Sequence, residues 1–192
     1  LGRELHHRVA TMVDHFHKVG TSLGSAVTAY NATVSSMQSR VLVTARALVE
    51  RRPESLRIIE HDDDEEIRSI QIYGVDAVNV GKAVRMVAEE DRADHIDLNF
   101  GCPVPKVTKN GGGSALPWKR DLFEAIVTTA VREASRAQIP VTVKMRKGID
   151  EDHLTFLDAA KTARDAGVAA IALHGRTAAQ HYSCLLYTSP SP

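Results

Sequence analysis

Between Val43 and Ser183, short β-branched runs alternate with amphipathic stretches, and few architectures accept that pattern. Ser69-Ile70-Gln71-Ile72-Tyr73 reads as a strand that stops at Gly74. Asp76 is placed to cap the helix that follows, which carries Val80, Val84 and Val87 on one face. His95 to Phe100 reads as the next strand, and the glycine-rich Asn110 to Ser114 then leads into a helix expected from about Trp118 to Ala137. Val141 to Met145 is the third strand, a helix is expected from about Asp152 to Ala166 with Gly167 as its C′ residue, and Ala169 to His174 is the fourth. Repeated strand–helix units imply parallel strands with right-handed crossovers, so the choices are a (β/α) barrel or an open doubly wound sheet. A chain of 192 residues, 43% of them hydrophobic, suits one domain with a sizeable core.

In a parallel barrel the chemistry lies at the C-terminal ends of the strands. Gln71 lies just before Gly74, Asn99 and Cys102 end the second strand, Lys144 and Arg146 the third, and His174 and Arg176 the fourth. Each has a plain structural reading by itself: a strand-edge amide, a solvated lysine, a satisfied histidine. Four successive strands ending in hydrogen-bonding or titratable groups point to a shared site. Free Cys is commonly a small buried hydrophobe, but Cys102 sits between Gly101 and Pro103 at a strand-to-loop switch. It could serve as a proton donor, or as a nucleophile if its pKa were lowered.

The stretch from Lys106 to Gly113 combines Lys106 and Lys109 with three glycines, so its N–H groups could approach a phosphate, or it could simply be a flexible loop. No Gly-Lys-Ser/Thr follows, so it is not a P-loop. The acidic run Asp62 to Glu66 reads as a solvated turn with no EF-hand spacing. No metal is expected, because Cys102 and Cys184 stand far apart in sequence. The two cysteines make no disulfide framework and fit a reducing cytoplasm. No apolar run approaches the roughly 18 residues that span a membrane. The 24 basic and 24 acidic residues cancel, so a nucleic-acid partner would have to rely on local patches.

The flanks have a different character. From Leu5 through Val9, Met12, Phe16, Val19, Leu23 and Val27 to Val41, apolar residues recur at steps of three and four, predicting one long amphipathic helix over residues 1–42. Gly20 and Gly24 each weaken it by roughly 1 kcal/mol relative to Ala. Such a helix could pack on a core or pair with a partner. Cys184 to Pro192 has no period and carries Pro190 and Pro192, so a disordered tail is expected. The absence of an initiator Met suggests an incomplete reading frame.

Asp97-Leu98-Asn99-Phe100-Gly101-Cys102-Pro103, with Lys106-Val107 and Gly112-Gly113-Ser114-Ala115-Leu116, resembles the signature of the tRNA-dihydrouridine synthases. Gln71-Ile72-Tyr73-Gly74, Val143 to Gly148 and Leu173 to Thr177 resemble further motifs of that family in the right order, closest to its bacterial B-type branch, over residues 43–183. The resemblance implies part of an FMN-binding TIM barrel, about four of eight βα units, preceded by the long helix. It implies that Gln71, Lys144 and His174 contact the flavin, that Asn99 holds the target uracil, and that Arg146 helps position the RNA or flavin site. Lys106 and Lys109 would face the RNA. Cys102 would be the general acid, protonating C5 while a hydride reaches C6, with NADPH as reductant and a monomeric, cytoplasmic enzyme acting on tRNA. Residues 1–42 instead resemble the C-terminal part of RmuC-type DNA recombination proteins, and residues 184–192 resemble translated adapter sequence, which would make Cys184 functionless. Two alternatives stand beside this reading: an FMN barrel reducing a free pyrimidine, as dihydroorotate dehydrogenases do, and a non-catalytic chimeric fragment.

Overall fold

The computed structural model describes residues 11–22, 24–25, 43–61 and 65–180. The chain divides into two compact units, Leu1–Ser39 and Arg40–Pro192. In the first, residues 11–22 and 24–25 are helical (α1), in keeping with the heptad-like spacing, and Met12, Phe16 and Val19 are exposed. The tail from Cys184 lies outside the described residues, as does most of the 1–42 segment.

The second unit is a parallel five-stranded sheet in the order β1-β2-β3-β4-β5. Its strands are β1 (Val43–Thr44), β2 (Ser69–Tyr73), β3 (His95–Phe100), β4 (Val141–Arg146) and β5 (Ala170–His174). The four strands expected from the sequence are present, and β1 adds a fifth. Two residues are too short to show a period, which is why the pattern missed it; Thr44 ends that strand by capping α2 (Ala45–Val49), accepting from the Ala47 N–H at 3.1 Å. Every strand pairs with its neighbour in sequence. A doubly wound sheet would reverse direction at a switch point, and no reversal occurs among the described strands. The winding is that of a barrel, here part of a TIM barrel.

The helices cover one face. After α2 and α3 (Pro53–Ile58), α4 (Ala77–Glu89) packs on α2, α6 (Arg120–Ser135) on α4, and α7 (Phe156–Asp165) on α6. Asp76 caps α4 as expected, accepting from the Asn79 N–H at 2.7 Å, and Gly167 ends α7 with φ +91°. The expected 118–137 helix divides: a 3₁₀ segment runs Gly113–Trp118 with Pro117 inside it, and α6 starts only at Arg120. Helix α7 likewise starts at Phe156, because residues 148–154 are taken up by an Asp150 turn and a Gly148–Leu154 bridge.

Strand alternation sorts the side chains. Ile70, Ile72, Ile96, Leu98, Phe100, Val141, Val143 and Met145 are buried towards the helices, where Phe100 meets Phe123 edge to face at 4.8 Å. Fully burying each such side chain stabilises by about 1.5–3 kcal/mol. Glu133 of α6 is covered by Arg85, Arg132 and Arg136, with the Arg85 guanidinium foremost in keeping its carboxyl below the usual carboxylate range. The opposite face, which lines the inside of a closed barrel, carries Ser69, Gln71, His95, Asp97, Asn99, Thr142 and Lys144.

Candidate active site

The strand register places the expected residues in rows. Gln71 lies beside Asp97, Asp97 beside Thr142, Asn99 beside Lys144, and Arg146 beside His174. Three of the site residues are linked directly. Asn99 Nδ2 donates to Gln71 Oε1 at 2.8 Å, and Asn99 Oδ1 accepts from the Gly101 and Cys102 N–H groups at 3.1 and 2.9 Å. Asn99 and Cys102 are 7% and 2% exposed, so these bonds are made away from bulk water.

Cys102 is braced from several sides. Its carbonyl accepts from the Ser114 N–H at 3.0 Å and the Ser114 hydroxyl at 3.2 Å. Gly113, at φ +55°, packs so closely that a Cβ there would lie 2.3 Å from the Cys102 carbonyl oxygen. Buried Arg146 donates from Nε to the Gly101 carbonyl at 3.0 Å and from its NH1 nitrogen to the Thr177 carbonyl at 2.9 Å. Burial pushes the Cys102 thiol above its ordinary value, against weaker opposing pulls from the Val104 N–H and the Arg146 charge. The thiol is therefore protonated at neutral pH. That is the state of a proton donor, and it disfavours the thiolate a nucleophile needs.

The glycine-rich loop has a different use from phosphate binding. The Gly111, Gly112, Ser114 and Ala115 N–H groups all bond to backbone carbonyls, at Thr108, Val107, Cys102 and Gly112. The loop is a brace over Cys102. Lys106 and Lys109 are exposed on α5 (Pro105–Thr108) and at its end, and Lys106 lines a cavity of about 530 Å³ with Thr44, Arg46, Tyr73, Asn79 and Asn110. Burial, and then Cys102, push the Tyr73 hydroxyl above its ordinary value.

His174 is half-buried and its pKa is pushed down by burial and by the Arg146, Lys144 and Arg176 charges. Its Nδ1 accepts from the Arg176 N–H at 3.2 Å. Sequence reasoning left Asp97, Thr142, His95 and Ser114 without roles. The first three sit at alternate, inward-facing strand positions, and that period-two polar pattern was the signal that could have found them. Ser114 had no comparable signal, because its bond to Cys102 spans a turn.

The structure thus places a buried, protonated cysteine and two linked side-chain amides at the C-terminal rim of part of a parallel barrel. The chain matches the dihydrouridine synthase family over residues 8–188, and it belongs to that family. The family's enzymes are flavin-dependent oxidoreductases. The chain is 56% identical over 151 residues to a probable tRNA-dihydrouridine synthase of Mycobacterium tuberculosis (strain CDC 1551 / Oshkosh), covering 79% of this chain and 39% of that protein. It is 39% identical over 144 residues to a probable tRNA-dihydrouridine synthase of Treponema pallidum (strain Nichols), covering 74% and 42%. It is 39% identical over 129 residues to tRNA-dihydrouridine synthase B of Xanthomonas campestris pv. campestris, covering 67% and 38%. The chain thus spans about two-fifths of the length of these curated relatives.

Proposed function

We propose that this chain forms the acid-bearing part of a flavin-dependent enzyme that reduces the uracil 5,6 double bond in tRNA. The observation that carries the reading is Cys102: a buried, protonated thiol whose backbone is held by Asn99, Ser114, Gly113 and, through Gly101, Arg146. A general acid needs its proton present at neutral pH and its position fixed, and both conditions are met. Asn99, adjacent in space, keeps a second Nδ2–H for a pyrimidine carbonyl.

FMN fits the chemistry of the donor set. Gln71 and Asn99 amides, the Lys144 ammonium and the half-buried His174 stand on neighbouring strands, and the pyrimidine edge of a flavin offers them acceptors. When bound, FMN supplies the hydride, with NADPH as its reductant. The protein's own residues do the rest: Gln71, Lys144 and His174 orient the cofactor, Asn99 orients the uracil, and Cys102 delivers the proton to C5. Arg146 supports the site from beneath through the Gly101 carbonyl. Lys106 and Lys109, exposed beside the Cys102 loop, take RNA phosphates. The protein works as a cytoplasmic monomer on tRNA. Among the described residues no helix is long and apolar enough to cross a membrane and no His/Cys/Asp/Glu group is placed to hold a metal.

The test is a pair of assays on the full-length gene product, supplied with FMN, NADPH and an unmodified tRNA transcript. Cys102→Ala lowers dihydrouridine formation by about 10²-fold or more, the usual reach of general acid catalysis, while NADPH still reduces the flavin. Dihydrouridine formation at the unaltered rate overturns the acid role. Reduction of free orotate or uracil in preference to tRNA overturns the RNA substrate.

A further inference from the structure

The inner face of the sheet carries an unbroken chain of side-chain hydrogen bonds. Ser69 Oγ bonds His95 Nδ1 at 2.7 Å, and His95 Nε2 bonds Thr142 Oγ1 at 2.9 Å. The Thr142 hydroxyl donates to Asp97 Oδ1 at 2.6 Å, and Gln71 Nε2 donates to Asp97 Oδ2 at 2.6 Å. Gln71 Oε1 then accepts from Asn99 Nδ2, and Asn99 Oδ1 accepts from the Gly101 and Cys102 N–H groups. A primary amide can face either way round, and only its partners decide which. Here both ends of the Gln71–Asn99 pair are fixed independently. The Asp97 carboxylate only accepts, so the Gln71 atom against it is nitrogen; the backbone at 101 and 102 only donates, so the Asn99 atom against it is oxygen. Turning one amide over would set like against like at one end and at the junction.

We propose that Asp97 is a positioning residue: its carboxylate sets which way the Gln71 amide faces and so holds Gln71 Oε1 as the acceptor for Asn99, whose own sense the Gly101 and Cys102 N–H groups fix, so that both amides present N–H donors to a carbonyl-bearing heterocycle on this face. The inference rests on the site reading above, and it adds the group that gives that site its donor polarity. Asp97 is half-buried one layer below Asn99, where its two carboxylate oxygens are each occupied by a neighbouring strand. Removing its charge while keeping its shape leaves an amide at position 97 that can also donate, and the chain then loses its single sense.

The experiment uses the full 192-residue chain without flavin. Side-chain amide protons of Gln71 and Asn99 are followed by ¹⁵N-edited spectra and solvent exchange. In the unaltered chain one proton of each amide exchanges about tenfold or more slowly than a free amide, the factor expected of a hydrogen bond of ordinary to charge-assisted strength. Asp97→Asn removes that protection at Gln71 and also at Asn99, which does not touch position 97. Adding Gln71→Glu to Asp97→Asn moves the carboxylate one strand over, where it accepts from the amide at 97 and from Asn99; protection at Asn99 then returns. A residue that merely filled space would give no such rescue. Undiminished Asn99 protection in folded Asp97→Asn overturns the proposal, as does failure of the double variant to restore it. If Asp97→Asn does not fold, the unaltered chain decides, because free-amide exchange at both Gln71 protons overturns the proposal unaided. Flavin titration of the same samples separates the two readings: loss of FMN binding with protection intact counts against the function and leaves the Asp97 inference standing.

Discussion

Replacing Gly113 by Ala probes the packing that fixes Cys102 without touching its side chain. A Cβ at 113 would lie 2.3 Å from the Cys102 carbonyl oxygen and 3.0 Å from Val107 Cγ1. An ordinary contact is about 3.5 Å, so the loop or the carbonyl must shift by roughly 1 Å. The φ of +55° costs a non-glycine residue about 1–2 kcal/mol. A shift of that size also weakens the two bonds from Ser114 to the Cys102 carbonyl, each worth about 0.5–1.5 kcal/mol. The reduced freedom of the unfolded chain returns about 0.4–1 kcal/mol. The net cost is about 2–4 kcal/mol, a shift of about 1–2 M in the urea midpoint for ordinary slopes. Gly111 is the control: it too has positive φ, +76°, but its Cβ would meet only the mobile end of Lys119, so Gly111→Ala loses about 1 kcal/mol or less net. The assay is urea unfolding followed by circular dichroism, paired with iodoacetamide labelling of Cys102 in a Cys184→Ser background. Gly113→Ala should label faster and Gly111→Ala should not. Equal midpoints and equal labelling rates for the two variants would refute the idea that Gly113 is required by the Cys102 carbonyl.

Phe123→Ala removes one ring of the edge-to-face pair with Phe100 and should cost about 3–5 kcal/mol in the same unfolding assay; a loss under 1 kcal/mol would place the core elsewhere. Arg146→Met leaves the Gly101 and Thr177 carbonyls without these donors and should cost about 2–4 kcal/mol while speeding Cys102 labelling. Stability should fall as the solution is acidified: Asp94 is held well below the carboxylate range by the Arg68 guanidinium and N–H, so its contribution is present above its unfolded value and is lost as pH drops through its folded one. His174 acts in the same direction at higher pH, since its depressed folded value means the unfolded chain takes up the proton first, below about pH 6.5. A urea midpoint that rose between pH 7 and about pH 5 would contradict the His174 statement, and one that rose on acidification below about pH 4 would contradict the Asp94 statement.

Most of the fold was legible because burial writes itself as periodicity. Ile70 and Ile72, Ile96 and Leu98, Val141 and Val143 alternate with polar neighbours, and the intervening helices repeat every three to four residues. The pattern left the choice between barrel and open sheet undecided, since both use the same units; the monotonic strand order settles it. Strand β1 was invisible because two residues carry no period, and the 3₁₀ segment ahead of α6 was hidden by Gly113 to Leu116 reading as an ordinary loop-to-helix transition. At the site, Gln71, Asn99, Lys144, Arg146 and His174 declared themselves as strand-end polar groups, and their rows follow from the register. Arg146 could not be seen in advance as a buried strut, because a strand-end arginine in sequence looks the same whether it reaches solvent or two carbonyls. The glycine-rich loop misleads for a similar reason: glycine permits close approach, but the sequence does not say to what.

The Arg146 contacts have a mechanical consequence. One rigid, planar cation grips the rim after β3 at Gly101 and the rim after β5 at Thr177, with its own strand anchored between them. The loop bearing Cys102 and the loop following His174 are therefore tied into a single jaw. Neither can swing without dragging or releasing the other, so backbone opening at residues 101–102 and 176–178 should occur at one shared rate.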